Sequence, residues 1–195
     1  ILHRVGEFHF CDHDFIQSQI TPQSAEQLNV RRRPKSTGSE KIRITLDFSL
    51  LGNTSDTQEC HYAGQTVTWL RGTFTCTEED VLSQEKITVL KETMQNVENY
   101  LESIFYVDPL NYDFKLYCFP SLFDYGYTKY ATNTDLHLTV VSRPYGISST
   151  LASAGYILRD INTKRPIQGG VYVNPKSVPN HTQSETSTNS KFFYV

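Results

Sequence analysis

The chain has 195 residues, 38% of them apolar and 12% aromatic, enough to build a buried core and too much for an intrinsically disordered segment. A formal net charge of −3, with Arg31-Arg32-Arg33 as the only basic run, gives no electrostatic reason to expect nucleic acid as a partner. No window approaches the run of about 18 apolar residues that a membrane-crossing helix needs.

Residues 1–30 read as a short extended or helical element followed by polar residues. The chain begins at Ile1 and shows no apolar signal core, as expected of a chain whose leader has been removed and equally of a truncated one. Within this stretch lies His-Phe-Cys-Asp-His-Asp, residues 9–14, with one cysteine between two histidines. As an extended strand it would hold His9 and His13 about 13 Å apart, too far for one zinc ion. As a helix it would bring the two histidines together but turn Cys11 away from them. A complete metal site made of these six residues therefore fails on geometry. Three readings of Cys11 stay open on residue chemistry: half of a disulfide, a buried thiol, or a thiolate offered to a metal held elsewhere.

Residues 31–40 combine charge, Pro, Ser and Gly and read as a linker, which places a domain boundary near residue 40. Ile42, Ile44, Leu46, Phe48 and Leu50 then alternate as in a half-buried strand. Asn53-Thr54-Ser55 and Asn180-His181-Thr182 are glycosylation sequons in polar surroundings, and two in such places favour secretion. Four cysteines are present, at 11, 60, 76 and 118. Cys60 and Cys76 bracket a hairpin-like or Ω-like loop, and a bridge between them is expected over two free thiols, worth roughly 3 kcal/mol in the chain-entropy picture.

Ile87, Leu90, Met94, Val97, Leu101 and Ile104 fall at alternating spacings of three and four, which predicts one long core helix from about 83 to 105. Ser83 can cap it, Glu85 suits its first turn, and Asp108-Pro109 is expected to end it. Strand-like runs follow at 113–119, 135–143, 149–158 and 166–174, and the stretch from 181 to 190 is polar. A strand, a long helix and then several strands predict a mixed sheet with a crossover helix on one face. Tyr125 and Tyr127 are expected to cover the core or an interface. His61 is expected to face solvent on the disulfide loop, and His137 to lie on the polar face of its strand. Beyond His9 and His13 no histidine pair at helical spacing occurs, nor any Gly-x-Ser-x-Gly or P-loop, so a self-contained catalytic metal site is not expected in residues 1–195.

The segment around Cys11 resembles the His-x-Cys-x-His-Asp motif in the propeptide of the leishmanolysin family of zinc metallopeptidases, with His9, Cys11, His13 and Asp14 matching residue by residue. The resemblance continues in order along the chain. "KIRITLDFSLL" is similar to the first strand of the mature enzyme, and "CHYAGQTVTWLRGTFTCTEEDVLSQEK" to its paired-cysteine segment. "TDLHLTVVSRPYGISSTLASAG" and "RPIQGGVYVNP" look like the strands that precede the active-site helix. Two departures stand out. The family pairs the cysteine matching Cys118 with another in a region that here reads Gly-Tyr-Ile-Leu, residues 155–158. The stretch like "FFYV" ends at Val195, where the family runs into His-Glu-x-x-His.

The resemblance implies an α+β fold: the N-terminal subdomain of a zincin-like (metzincin) catalytic domain, a mixed twisted sheet with one long crossover helix, preceded by a propeptide. Residues 1–40 would be the propeptide and linker, and 41–195 the N-terminal half of the catalytic domain. Cys11 would be an inhibitory zinc ligand in the precursor, with His9, His13 and Asp14 around it. Ser153, Ala154 and Gly155 would lie on the edge strand that binds extended peptide. Zinc would be held by ligands outside these residues. The partners implied are peptide or protein substrates and the remainder of the catalytic domain, in a secreted or cell-surface protein. The alternative is a non-catalytic structural or adhesive surface component, its aromatics serving a surface protein assembly.

Overall fold

The computed structural model describes residues 38–69, 72–117 and 129–181, together with the backbone of Gln23–Ser24. The expectations for His9, Cys11, His13, Asp14, Arg31-Arg32-Arg33, Cys118, Tyr125, Tyr127 and residues 182–195 lie outside the described residues.

The described chain is α+β. Its strands are β1 (Gln23–Ser24), β2 (Glu40–Lys41), β3 (Ile44–Asp47), β4 (Thr66–Trp69), β5 (Gly72–Thr75), β6 (Tyr106–Val107), β7 (Phe114–Lys115), β8 (Tyr130–Ala131), β9 (Leu136–Ser142), β10 (Ala152–Arg159) and β11 (Pro166–Val173). One helix, α1 (Gln84–Ile104), lies between β5 and β6. The main sheet has the order β1-β10-β11-β9-β3. β3, β9 and β11 run parallel, while β10 is antiparallel to β11. Joining β3 to β9 in parallel requires a crossover, and α1 lies in that connection. The mixed sheet with a long crossover helix thus follows from the order of elements seen in the sequence.

Local chemistry accounts for the ends of these elements. Ser83 caps α1, its Oγ accepting from the Lys86 amide at 3.2 Å. Just before it, Asp80 Oδ2 accepts from the Thr77 amide at 2.9 Å and from the Thr77 hydroxyl at 2.6 Å, which closes a 3-10 turn at Glu78–Asp80. α1 stops at Ile104, before Asp108-Pro109, because Tyr106–Val107 turn to pair with Glu40–Lys41 and the Ile42 amide donates to Phe105 O at 3.0 Å. Strand pairing, not the proline, ends the helix. The turn between β10 and β11 is organised by Asp160, which accepts from the Thr163 amide and hydroxyl at 2.7 Å and from the Tyr112 hydroxyl.

The core differs from expectation in two places. Ile87, Val89 and Leu90 of α1 are buried against Leu51, Val140, Val173 and Val178. The same stripe surfaces further on, with Val97 at 42% and Ile104 at 47% exposure. The C-terminal half of α1 still reaches the start of β3, where Glu102 accepts from the Ile44 amide at 2.7 Å, and Met94 and Leu101 stay half-buried. The expected continuous buried face is therefore only partly realised, being fully covered at Ile87 and Leu90 and open at Val97 and Ile104. The second difference is His137, expected on a polar face but 4% exposed. β9 is a central strand, flanked by β3 opposite Thr45 and by β11 opposite Gln168, so alternation along it separates two covered faces.

Candidate functional site

The strand that carries Ser153, Ala154 and Gly155 is β10, and its placement begins at the disulfide. Cys60 and Cys76 are bridged in the structure and close the β4–β5 hairpin at its base. The hairpin lays Trp69 on the sheet, where its ring meets Tyr145 edge-on at 5.7 Å and Tyr172 at 5.2 Å. The indole N–H donates to Pro144 O at 3.1 Å, which fixes the ring in place. Tyr145 in turn shares a hydrogen bond with the Ser153 hydroxyl and donates to Tyr172 O at 3.4 Å. A covalent staple in one hairpin thereby holds the chain entering β10.

Along β10 the pleat alternates. Ser153 and Gly155 are buried and Ala154 is exposed. Ser153 is thus engaged inward with Tyr145, and any part of this strand in recognition falls to its backbone. Gly155 sits against Gly169 of β11, where a Cβ added to Gly169 would lie 2.8 Å from Gly155 O. Only glycine allows that approach. Leu158 is fully buried among Leu110, Phe114, Ala131 and Ile167. β10 was expected to form the sheet's edge over 149–158. It begins at Ala152 instead, and Gln23–Ser24 flank its far end in parallel, opposite Leu158 and Arg159.

Sequence reasoning did not find the buried charges at the carboxyl ends of the parallel strands. Arg143, directly after β9, is 0% exposed and donates from Nη1 to Asp56 Oδ2 at 2.8 Å and to Ser142 O at 2.6 Å. Its Nε and Nη2 have no hydrogen-bond partner among the described residues. Glu59, nearby and almost wholly buried, receives the Gly52 amide on both carboxylate oxygens, at 3.1 and 3.0 Å. Burial pushes its carboxyl up to about 7, with the Asp56 carboxylate adding to the rise and the Gly52 N–H and Arg143 opposing it. None of this has a sequence signature, since Asp56 and Glu59 sit in a turn-rich segment that reads as solvated loop.

A second ion pair lies at the other end of the sheet. Arg43 grips Asp135 through Nε at 2.8 Å and Nη2 at 3.1 Å, and the Leu110 amide donates to the same carboxylate at 2.6 Å. Burial opposes ionisation of Asp135, but the Arg43 bonds outweigh it and hold its carboxyl below the usual range. His137 has its Nε2 3.9 Å from Asp47 Oδ2, and its Nδ1 has no hydrogen-bond partner among the described residues. Desolvation holds its pKa below the ordinary histidine value, despite the pull of Asp47.

The remaining expected residues fall as follows. His61 is half-buried, its Nε2 2.8 Å from Asp56 O, and does not simply face solvent as expected. Its ring is recruited to the Asp56 turn that also meets Arg143. Asn53 is partly buried and accepts from the Ser55 amide at 3.0 Å, whereas Asn180 is exposed. No three His, Cys, Asp or Glu side chains among the described residues form a group that could hold a metal ion. These residues thus supply no fit for zinc, and no chemical step is routed through them. No helix among the described residues is long and apolar enough to cross a membrane. No protein-family model matches the chain, and no curated protein matches it.

Proposed function

We propose that the chain is the precursor-form N-terminal part of a secreted or cell-surface zinc metalloendopeptidase resembling leishmanolysin. Residues 1–40 act as propeptide, and 41–195 form the first half of a metzincin-like catalytic domain. The observation that carries this reading is the sheet layout. A mixed sheet of three parallel strands and one antiparallel strand, with a long crossover helix, supports it, because the family resemblance implies a mixed sheet with such a helix. The residues proposed for extended substrate, Ser153, Ala154 and Gly155, lie on that antiparallel strand, and backbone addition is the recognition mode such a strand offers. The Cys60–Cys76 bridge is in keeping with an oxidising compartment.

In this reading zinc, when bound by ligands outside residues 1–195, polarises a scissile carbonyl and activates water. This chain's own part is to align substrate along β10 and to hold the precursor inactive through Cys11. Cleavage in residues 31–40 releases the block, although Pro34 obstructs a cut directly after Arg33. The test is the intact mass and C-terminal peptide map of the natural protein, with its zinc content. A peptide continuing past Val195 into His-Glu-x-x-His, one zinc per chain, and activity raised by Cys11→Ser support the reading. Mature protein that is fully active while it retains residues 1–30 sinks the switch.

The second reading, a non-catalytic structural or adhesive surface component, is favoured by one observation. Tyr100, Ile104, Phe105 and Tyr106 cluster in sequence at the end of α1 and are 47–63% exposed, the residue types enriched at protein interfaces. A degenerate or missing His-Glu-x-x-His in the same peptide map would select it.

A further inference from the structure

The far end of β10 is bonded unlike the rest. From Ala152 to Tyr156 it pairs in regular register with Val173 to Gly169 of β11. The register then shifts on both sides of Leu158, which faces Gln168, and Arg159 faces Pro166. Beyond the shift the inner ladder closes again, the Asp160 amide donating to Arg165 O at 2.8 Å, so the irregularity is confined to Tyr156–Arg159. Bulged strand ends are where sheets accept or repel an additional strand. Here one is accepted, with Gln23–Ser24 in parallel opposite Leu158 and Arg159.

Two further observations make this end a receptor for a strand. Leu158 is 0% exposed and anchored among Phe114, Ile167 and Leu110, so the backbone presented on the outer side is held rigid. Arg159 stacks on Tyr156 at 4.3 Å and donates to its hydroxyl, so the neighbouring side chains are occupied with each other. The partner comes from 135 positions away in the sequence, 158 minus 23, and a two-residue ladder alone repays little of that loop-closure cost.

We infer that β10 presents a strand-acceptor edge for extended polypeptide, and that Gln23–Ser24 mask its far end in cis. This rests on the proposed function in so far as the same strand carries Ser153 to Gly155. It adds a lock that acts through backbone pairing and is separate from Cys11. An extended peptide cannot reach the outer backbone groups of Leu158 and Arg159 while Gln23–Ser24 hold them. Recognition here is by main chain, so it depends on N–H groups and not on the Gln and Ser side chains.

The experiment uses the full chain and three versions of it: wild type, Gln23→Pro with Ser24→Pro, and Gln23→Ala with Ser24→Ala. The readouts are amide hydrogen exchange at residues 158 and 159, with the Asp160 amide, held by Arg165 O, as an internal control, and binding of a fluorescent peptide with the sequence of residues 18–28. The wild-type and Ala/Ala chains are expected to protect 158 and 159 and to ignore the probe. The Pro/Pro chain is expected to exchange there about tenfold faster and to bind the probe, with the β4–β5 hairpin amides still protected. Unchanged exchange in the Pro/Pro chain, Ala/Ala behaving like Pro/Pro, or a Pro/Pro chain that folds but ignores the probe overturns the inference. Should Pro/Pro not fold, wild type alone decides: protected amides at 158 and 159 support the mask, and unprotected ones overturn it. Zinc and activity do not enter these readouts. A missing His-Glu-x-x-His would therefore sink the proposed function without moving them, and Cys11→Ser should leave the mask in place.

Discussion

His137 and Glu59 are buried titratable groups whose effects on stability run in opposite directions with pH. Burial disfavours the His137 cation and holds the folded pKa below the ordinary value, against the pull of Asp47. As pH falls through about 6.5 the unfolded chain takes up more proton at this residue than the folded chain, so its contribution makes stability fall as pH falls. Glu59 behaves in reverse. Its folded carboxyl titrates near 7 against about 4.5 when unfolded, so its contribution is fully present below 4.5 and is lost as pH rises towards 7. Denaturant midpoints followed from pH 4 to 8 should separate the two. His137→Gln removes the acid-side loss, and Glu59→Gln removes the loss between about 4.5 and 7. A Glu59→Gln profile parallel to wild type would show that this carboxyl is ionised throughout. Arg143→Met leaves Asp56 buried without its cation and should cost about 3–5 kcal/mol, read from the same midpoints. None of these three residues announced itself. Alternation puts His137 on a polar face, and nothing in the local sequence marks Arg143 or Glu59, whose burial comes from the elements that cover them.

At the level of elements, α1 was legible and its burial was not. Its span and its Ser83 cap follow from spacing and local chemistry, but how much of the stripe is covered depends on which elements pack against each turn. Leu90→Ala, at 1% exposure, should cost about 2–5 kcal/mol by thermal or chemical unfolding. Val97→Ala, the same stripe two turns on and 42% exposed, should cost under about 1 kcal/mol. Equal losses would mean that the stripe at Val97 is covered in solution. Gly169→Ala probes the β10–β11 pair, because its Cβ meets backbone, which cannot rotate away. A loss of about 1–3 kcal/mol is expected, with the largest gain in hydrogen exchange at residues 153–156.

For the whole molecule, the disulfide hairpin, the aromatic cluster and β10 form one chain of contacts from Cys60 to Ser153. Replacing Cys60 and Cys76 by alanine should cost roughly 3 kcal/mol. Trp69 is the single tryptophan, so its fluorescence reports whether the hairpin stays docked on Tyr145 and Tyr172. A variant equally destabilised but with unchanged emission would show that the bridge acts on the unfolded chain alone. The sequence by itself determined the class of fold, the long helix, the four main-sheet strands from β3 to β11 and the Cys60–Cys76 pairing. Each of these rests on periodicity or on a short closed loop, which are local. Only the tertiary structure decided that His137 and Arg143 are buried, that the apolar stripe of α1 is open at Val97 and Ile104, and that Gln23–Ser24 flank β10. Those outcomes depend on which strand becomes a neighbour across 90 or more positions, and pairing at that distance leaves no period in the sequence to read.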